Sequence, residues 1–177
     1  MHTAYFDCIA GASGDMMLGA LVDAGLPAEQ LEAELAKLHL TDFHLHVHRV
    51  MKNCFSATKV DVHVRDEAPE RHLADIRAVV EASDLSDRVK ETAIRIFTRI
   101  CEAEAAIHDS SVDKVHLHEV GGVDAIVDVC GTLAGLEALG IERVLVSPLP
   151  LGRGFVFGAH GQIPLPAPAA LSLLKGC

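Results

Sequence analysis

The stretch that decides the fold is Thr3-Ala4-Tyr5-Phe6-Asp7-Cys8-Ile9-Ala10-Gly11-Ala12-Ser13-Gly14-Asp15-Met16, near the beginning of the chain. Its first half, Thr3 to Ile9, is short and apolar, as is typical of a buried strand. A glycine-rich loop follows, and the apolar run from Met16 to Ala24 predicts a helix that ends at Gly25 and Pro27. A strand that leads through a small-residue loop into a helix is typical of an α/β protein.

A second pattern, strict alternation, predicts a β-hairpin further along the chain. From Phe43 to His48 apolar residues alternate with three histidines, and from Lys59 to Arg65 three valines occupy every second position. Side chains alternate between the two faces of a strand, so each segment has one buried face. A turn near Lys52-Asn53 would join the two strands in an antiparallel hairpin.

The rest of the chain alternates between helical and extended patterns. The sequence predicts helices at about 28–38, 72–82, 86–108 and 124–139, a final helix from about 167, and strands at 115–119 and 143–146. The Gly- and Pro-rich segment 147–168 is predicted to form packed loops and extended segments. We therefore expect an α/β (α+β) fold over residues 1–177: a single domain with a mixed sheet flanked by helices. Since no cap follows the last helix, we expect the chain to be part of a longer protein.

Composition restricts the class of function. The net charge of -10 disfavours binding to DNA or RNA, which requires a basic patch, and modestly favours divalent cations. No apolar run is long enough for a membrane-spanning helix, and the first residues lack the features of a signal peptide. A cytoplasmic protein without nucleic-acid or membrane partners is therefore expected. The five cysteines form no CxxC pair and are expected to be free thiols: Cys8, Cys54, Cys101, Cys130 and Cys177.

The glycine-rich loop is the first candidate site. Gly11 and Gly14 would let the backbone approach a ligand, and the amides at the beginning of the following helix could bind a phosphate. Ser13 or Asp15 could equally be a simple N-cap. The spacing fits neither a Walker A loop nor a dinucleotide-binding fingerprint. Asp7, at the end of the first strand, could contact a metal ion or a hydroxyl.

The second candidate site is the segment from His116 to Asp128. His116 and His118 would share a face of an extended strand, and Asp124 and Asp128 are i, i+4 neighbours in a helix. Such a mixed set of imidazoles and carboxylates suits Zn, Mn, Ni or Fe. The alternative is an exposed strand followed by an ordinary acidic helix N-terminus. Because Asp128 lies in an otherwise apolar helix and a buried unpaired carboxylate is costly, we favour a metal or catalytic role.

The roles of His160, of His72 and of a set of four alternating histidines stay open. His160 lies between glycines in the segment 158–161 and could complete the metal set or form a structural hydrogen bond. His72 could cap a helix or contact phosphate. The alternating histidines of the predicted hairpin, which we call the histidine face, fit a solvent-exposed strand, with nickel or zinc binding as the alternative: His44, His46, His48 and His63.

Four motifs resemble, in order, those of the nickel-pincer cofactor chelatase (LarC) family. They are Asp7-Cys8-x-Ala10-Gly11-x-Ser13-Gly14-Asp15-Met16, Arg71-His72-Leu73-x-Asp75-Ile76, His116-x-His118-Glu119-Val120-Gly121-x-Val123-Asp124-x-Ile126-Val127-Asp128 and Ala159-His160-Gly161-x-x-Pro164-x-Pro166-Ala167-Pro168. The resemblance is to the N-terminal part of the family and covers nearly the whole chain, and the third motif is long and highly specific. Residues 40–65 depart from the family pattern, with Asn53-Cys54-Phe55-Ser56 where more glycine is expected.

The resemblance implies a CTP-dependent enzyme that inserts nickel into pyridinium bis-thiocarboxylic acid mononucleotide. Its product would be the nickel-pincer nucleotide, the cofactor of lactate racemase, and formation of a nickel–carbon bond would make it a cyclometallase of the lyase class. Its partners would be this dithio-nucleotide, CTP and a C-terminal part that binds CTP. A Mn or Mg ion could accompany the CTP. The oligomeric state stays open, with a homo-oligomer among the alternatives.

The chemistry that the resemblance implies suits the candidate residues already identified. Nickel–carbon bond formation removes a ring proton, so a general base is needed. The catalytic candidates are His118, Glu119 and Asp128. The loop residues expected to bind the nucleotide are Gly11, Ser13, Gly14 and Asp15, and the expected metal ligands are Asp7, His116, His118, Asp124, Asp128 and His160.

Two other functions fit the same residues. The glycine-rich loop and the His/Asp set would also suit a metal-dependent phosphohydrolase, which would turn over generic phosphoesters. A non-catalytic nickel carrier would instead use the histidine face, and its nickel binding would survive the loss of His116 and His118.

Overall fold

The computed structural model describes residues 1–41, 43–65, 71–115, 117, 122–158 and 161–176. The helices are α1 (Gly14–Asp23), α2 (Ala28–Ala36), α3 (Leu73–Ala82), α4 (Asp87–Ile107), α5 (Val123–Ala138) and α6 (Pro168–Leu174). The strands are β1 (His2–Phe6), β2 (Phe43–Lys52), β3 (Phe55–Val64), β4 (Ile141–Val146), β5 (Gly154–Gly158) and β6 (Gly161–Leu165). No helix in these ranges is long and apolar enough to cross a membrane.

The predicted α/β class with mixed strand pairing is confirmed. β1 pairs with β4 in parallel, whereas β2 with β3 and β5 with β6 pair antiparallel. Within the described residues each pair forms its own two-stranded sheet. Helices α1 and α5 pack on β3, and α5 also packs on β4. Such packing is needed because a two-stranded sheet cannot by itself bury enough apolar surface to be stable.

The predicted hairpin is confirmed and is longer than the alternation indicated. β2 and β3 pair from Phe43 opposite Val64 to Lys52 opposite Phe55. The two residues between the strands, Asn53 and Cys54, have φ angles of 48° and 71°. Positive φ at both central residues is the requirement of a type I′ hairpin turn, and glycine adopts it without strain. Asn53 and Cys54, which stand where the family pattern led us to expect glycine, therefore occupy the two positions at which the backbone favours glycine.

Close approach of α1 to its neighbours forms the centre of the core. A Cβ atom at Gly19 of α1 would lie 2.5 Å from the carbonyl oxygen of Thr58 in β3, and one at Gly131 of α5 would lie 2.9 Å from Leu18 Cδ2. Small residues therefore let α1 pack tightly against both β3 and α5. The fully buried side chains around this junction include Leu18, Leu31, Leu35, Val60, Ile126 and Val127.

Two local predictions differ from the structure. The segment 147–168, predicted to form packed loops and extended segments, contains a paired hairpin of β5 and β6, whose Phe155 and Phe157 are exposed. Its pairing was missed because Gly and Pro interrupt the periodicity that marks a strand. The strand predicted at 115–119 is absent at Val115 and Leu117, which are buried but outside any strand, and the rest of that segment lies outside the described residues.

Candidate functional site

The glycine-rich loop connects β1 to α1. Gly11 has a φ of +89° and donates its amide to the carbonyl oxygen of Cys8 at 3.0 Å, so it turns the chain back towards the helix. Ser13 is the N-cap residue in extended conformation, but its side chain makes no capping hydrogen bond. Its Oγ donates instead to Oδ1 of Asp15. The amides of the first helical turn are thus left uncapped by Ser13, as binding of an anionic group there would require.

The loop begins at the carboxyl end of the parallel pair of strands. The amide of Cys8 donates to Ser147 Oγ at 2.8 Å, and the amide of Ser147 donates to the carbonyl oxygen of Phe6 at 2.9 Å. These two bonds join the segments that follow β1 and β4. Asp7 is exposed at this edge. Ligands of α/β proteins commonly bind at the carboxyl ends of parallel strands, so the loop lies in a favourable place for a site.

The centre of the site is a close contact between the beginning of α1 and the side chain of Asp128 in α5. A Cβ atom at Gly14 would lie less than 3.0 Å from Cβ, Cγ and Oδ2 of Asp128. Only glycine at residue 14 leaves room for this carboxylate. Gly14 was predicted to let a ligand approach the backbone, and it admits the side chain of Asp128.

Three carboxylates converge around Gly14. The pKa of Asp128 is raised from 3.8 to about 6, chiefly by burial and then by the nearby carboxylates of Asp15 and Asp124. Oδ1 of Asp128 is shielded from solvent and has no hydrogen-bond partner among the described residues. The carboxylate of Asp124 folds back towards the N-terminus of α5. Its Oδ1 lies so close to the backbone of Gly122 that a Cβ atom at residue 122 would clash with it. A half-buried acid whose Oδ1 lacks a partner, beside two more acids, is an arrangement that a cation would stabilise.

Lys59 of the neighbouring hairpin is a cation close enough for the charge of Asp15 to act on it. The ammonium of Lys59 in β3 contacts Asp61, and its pKa is raised first by that hydrogen bond and also by the charge of Asp15. Lys59 was not among the predicted site residues. Nothing in the local sequence connects residue 59 with residue 15, since the packing of α1 on β3 brings them together.

Val115, which precedes α5 in the chain, is linked to α3. His72 is the N-cap of α3, and its amide donates to Asp75 Oδ2 at 2.9 Å. The Nδ1 atom of His72 lies 3.2 Å from the carbonyl oxygen of Val115. Of the two roles open to His72, the structure therefore gives the cap, and it adds a link to the segment that leads to Asp128.

The predicted site residues divide into three groups. The structure brings together Gly14, Asp15, Asp124 and Asp128, with Ser13 bonded to Asp15. Gly11 and Asp7 lie in the same loop, but among the described residues no hydrogen bond or ion pair joins the Asp7 carboxylate to the cluster. The remaining predicted residues lie outside the described part of the chain: His116, His118, Glu119 and His160.

Comparison with known proteins identifies the family to which the chain belongs. The sequence model of the family described as "Nickel insertion protein" matches residues 4–177. A protein of Desulfitobacterium hafniense (strain DSM 10664 / DCB-2), named pyridinium-3,5-bisthiocarboxylic acid mononucleotide nickel insertion protein, is 49% identical over 99% of this chain and 44% of its own length. A putative nickel insertion protein of Gloeobacter violaceus is 50% identical over 98% of this chain and 42% of its own length. No solved structure matches.

The fold and the cluster of acids around Gly14 define an α/β protein with a candidate cation site. The chain belongs to the nickel insertion protein family. It spans less than half the length of the curated relatives that it matches.

Proposed function

We propose that this chain holds nickel and the nucleotide in an enzyme that inserts nickel into pyridinium-3,5-bisthiocarboxylic acid mononucleotide. The observation that carries the proposal is the carboxylate of Asp128, which packs on Gly14, lacks a partner at Oδ1 and lies beside Asp15 and Asp124. A relative that is 49% identical bears this activity in its name. In our assignment nickel is the substrate metal, and the acids around Gly14 bind it before it is transferred to the nucleotide.

The uncapped beginning of α1 is the proposed place for a phosphate of the nucleotide. Main-chain amides and the Ser13 hydroxyl can donate to phosphate oxygens. Three carboxylates around Gly14 would repel a bare phosphate, so a divalent cation held by these acids would be needed for a phosphate to bind there. Nickel, or a Mn or Mg ion accompanying CTP, could offset the charges of both the acids and the phosphate.

Nickel transfer follows from the chemistry of the donors. Carboxylates and imidazoles bind nickel through oxygen and nitrogen, whereas the thiocarboxylate groups of the substrate offer softer sulfur ligands, to which nickel can pass. When the nickel–carbon bond forms, the ring C–H bond breaks and its proton goes to a base. A carboxylate that ligates nickel is a weak base, so we assign the proton to His118 or Glu119. Asp124 and Asp128, with His116 and His160, then hold the metal before transfer.

The division of labour with the rest of the protein is also a proposal. We infer from the family resemblance that CTP binds to a C-terminal part, and that the joint product is the nickel-pincer cofactor of lactate racemase, made by a cyclometallase of the lyase class. A cytosolic setting agrees with Cys8, Cys54, Cys101 and Cys130, which are all free thiols.

The test is reconstitution with nickel, CTP and the dithio-nucleotide, read by the absorbance of the nickel cofactor. We expect product when the C-terminal part of a relative is added and none from this chain alone. Full CTP-dependent turnover by this chain alone would overturn the division of labour. Hydrolysis of generic phosphoesters by this chain, without cofactor formation in either mixture, would favour the phosphohydrolase instead.

Calorimetry with nickel tests the assignment of the metal. Asp128→Asn removes the central charge, and Glu137→Gln is the matched control because Glu137 is exposed on the same helix, about 13 Å further along its axis. We expect Asp128→Asn to weaken nickel binding at this site about tenfold or more, and Glu137→Gln to leave it unchanged. Equal affinities in all three proteins would remove the cluster around Gly14 as a metal site.

A further inference from the structure

The outward face of the β2–β3 hairpin carries a second cluster of potential metal ligands. The register places His44 opposite His63, His46 opposite Asp61, and His48 opposite Lys59. The other face of both strands carries the apolar residues that pack on the core. The polar face contributes no residue to the hydrophobic core, so its composition needs another explanation.

The imidazoles on this face are ordered against one another. The rings of His46 and His48 stack with centroids 4.5 Å apart, and those of His44 and His63 stack at 4.9 Å. One potential ligand atom from each of His46, His48 and Asp61 lies within 4.8 Å of the other two. A simple solvent-exposed strand would not require two imidazoles and a carboxylate to converge.

His48 supplies an independent indication of a ligand. Its Nδ1 atom is shielded from solvent and has no hydrogen-bond partner among the described residues. Its nearest acidic atom, Asp61 Oδ2, is 3.6 Å away, which is too long for a hydrogen bond. Two ligands at about 2.1 Å from a shared tetrahedral ion would be about 3.4 Å apart, so the separation fits a bridging metal better than a direct bond.

We propose that His46, His48 and Asp61 form a binding site for a borderline divalent metal ion of the nickel and zinc class, separate from the cluster around Gly14. Two imidazoles and one carboxylate favour such ions over magnesium and calcium, which prefer oxygen ligands alone. His63 stands beside His46, with ring centroids 6.1 Å apart, and is the nearest candidate for a fourth ligand. The proposal does not depend on the function assigned to the Gly14 cluster.

Lys59 determines how this site would fill. Its ammonium contacts Asp61 and holds the pKa of that carboxylate below its ordinary value. Lys59 thus occupies the place of a cation at Asp61, and an arriving metal ion must displace it. The charge of Asp15 also acts on Lys59, so the displaced ammonium has a second carboxylate nearby.

The test is titration of this chain with nickel and with zinc, by calorimetry and by the visible spectrum of bound cobalt. We expect the double variant His46→Asn/His48→Gln to lose the metal ion of the hairpin. Asp128→Asn should keep the metal ion of the hairpin, and the control His2→Gln should bind metal at both sites like the parent. Retention of the full stoichiometry by the hairpin double variant would overturn the site, whatever happens at Asp128.

A second variant keeps the test independent of folding, because it should gain binding. Lys59→Met removes the competing ammonium, and we expect about two- to fivefold tighter nickel binding at the hairpin, the size of an exposed ion pair. Unchanged or weaker binding by Lys59→Met would overturn the competition with Lys59. Magnesium should produce no binding heat at this site, and a signal of equal strength with magnesium would overturn the assigned class of metal.

Discussion

The carboxylate of Asp128 lies directly against the backbone of Gly14, so that no side chain fits at residue 14. The glycine in this motif therefore serves a contact between two helices as well as the loop. The same contact places an acid of α5 at the N-terminus of α1.

Gly14→Ala should lower the free energy of unfolding by about 1–3 kcal/mol, because the new methyl group overlaps the Asp128 side chain. Urea denaturation measures this effect. Asp128→Gly in the same protein should recover part of the loss, and a double-mutant cycle gives the coupling between the two positions. Strictly additive effects would show that the side chain of Asp128 is not the obstacle.

In metal-free protein, Asp128→Asn should be stabilising at neutral pH. The pKa of Asp128 is raised to about 6 in the folded state, so the unfolded chain ionises first and stability falls as the pH rises from about 4 to 6. Below pH 4 the acid is protonated in both states, and the variant should match the parent. Above pH 6 we expect a gain of about 1–2 kcal/mol, reduced from the full shift because solvent still reaches the side chain. Urea titrations between pH 4 and 8 measure it, and a difference that is independent of pH would contradict the assignment.

His72 should act in two separate ways, as the N-cap residue of α3 and through the contact of its ring with the carbonyl oxygen of Val115. His72→Ala loses the link to Val115 and a polar residue at the N-cap of α3, and should cost about 1 kcal/mol. His72→Asn restores a good N-cap residue but does not restore the ring that reaches Val115. We expect His72→Asn to recover thermal stability and still bind nickel more weakly than the parent at the Gly14 cluster. Full recovery of both properties would mean that the link to Val115 does not position the segment before α5.

The cysteines should differ sharply in reactivity. Burial raises the pKa of the Cys130 thiol to about 12, and burial followed by the charges of Glu104 and Glu102 raises that of Cys101 to about 11. Cys54 is exposed in the hairpin turn. Because the thiolate is the reactive form, iodoacetamide should label Cys54 first and leave Cys101 and Cys130 unmodified in folded protein. Peptide mapping by mass spectrometry provides the readout, and early labelling of Cys130 would contradict its burial.

Most elements were predictable because their periodicity is strong. The alternation in residues 43–48 and 59–65 predicted a hairpin, and the structure has it. The helix predicted at 124–139 is α5, which differs by one residue at each end. The hairpin of β5 and β6 could not be predicted in this way, since glycine and proline carry little periodicity and the pairing depends on the partner strand.

The sequence by itself determined the family, the α/β class and the chemical types of the candidate ligands, because motifs, periodicity and side-chain chemistry are local properties. Only the tertiary structure decided that Asp128 packs on Gly14 and that Lys59 is close enough to Asp15 to interact with it. Those pairs are far apart along the chain, and their proximity depends on how closely α1 packs against α5 and β3. The pKa of Asp128 follows from that packing, because burial and neighbouring charge are properties of the folded chain.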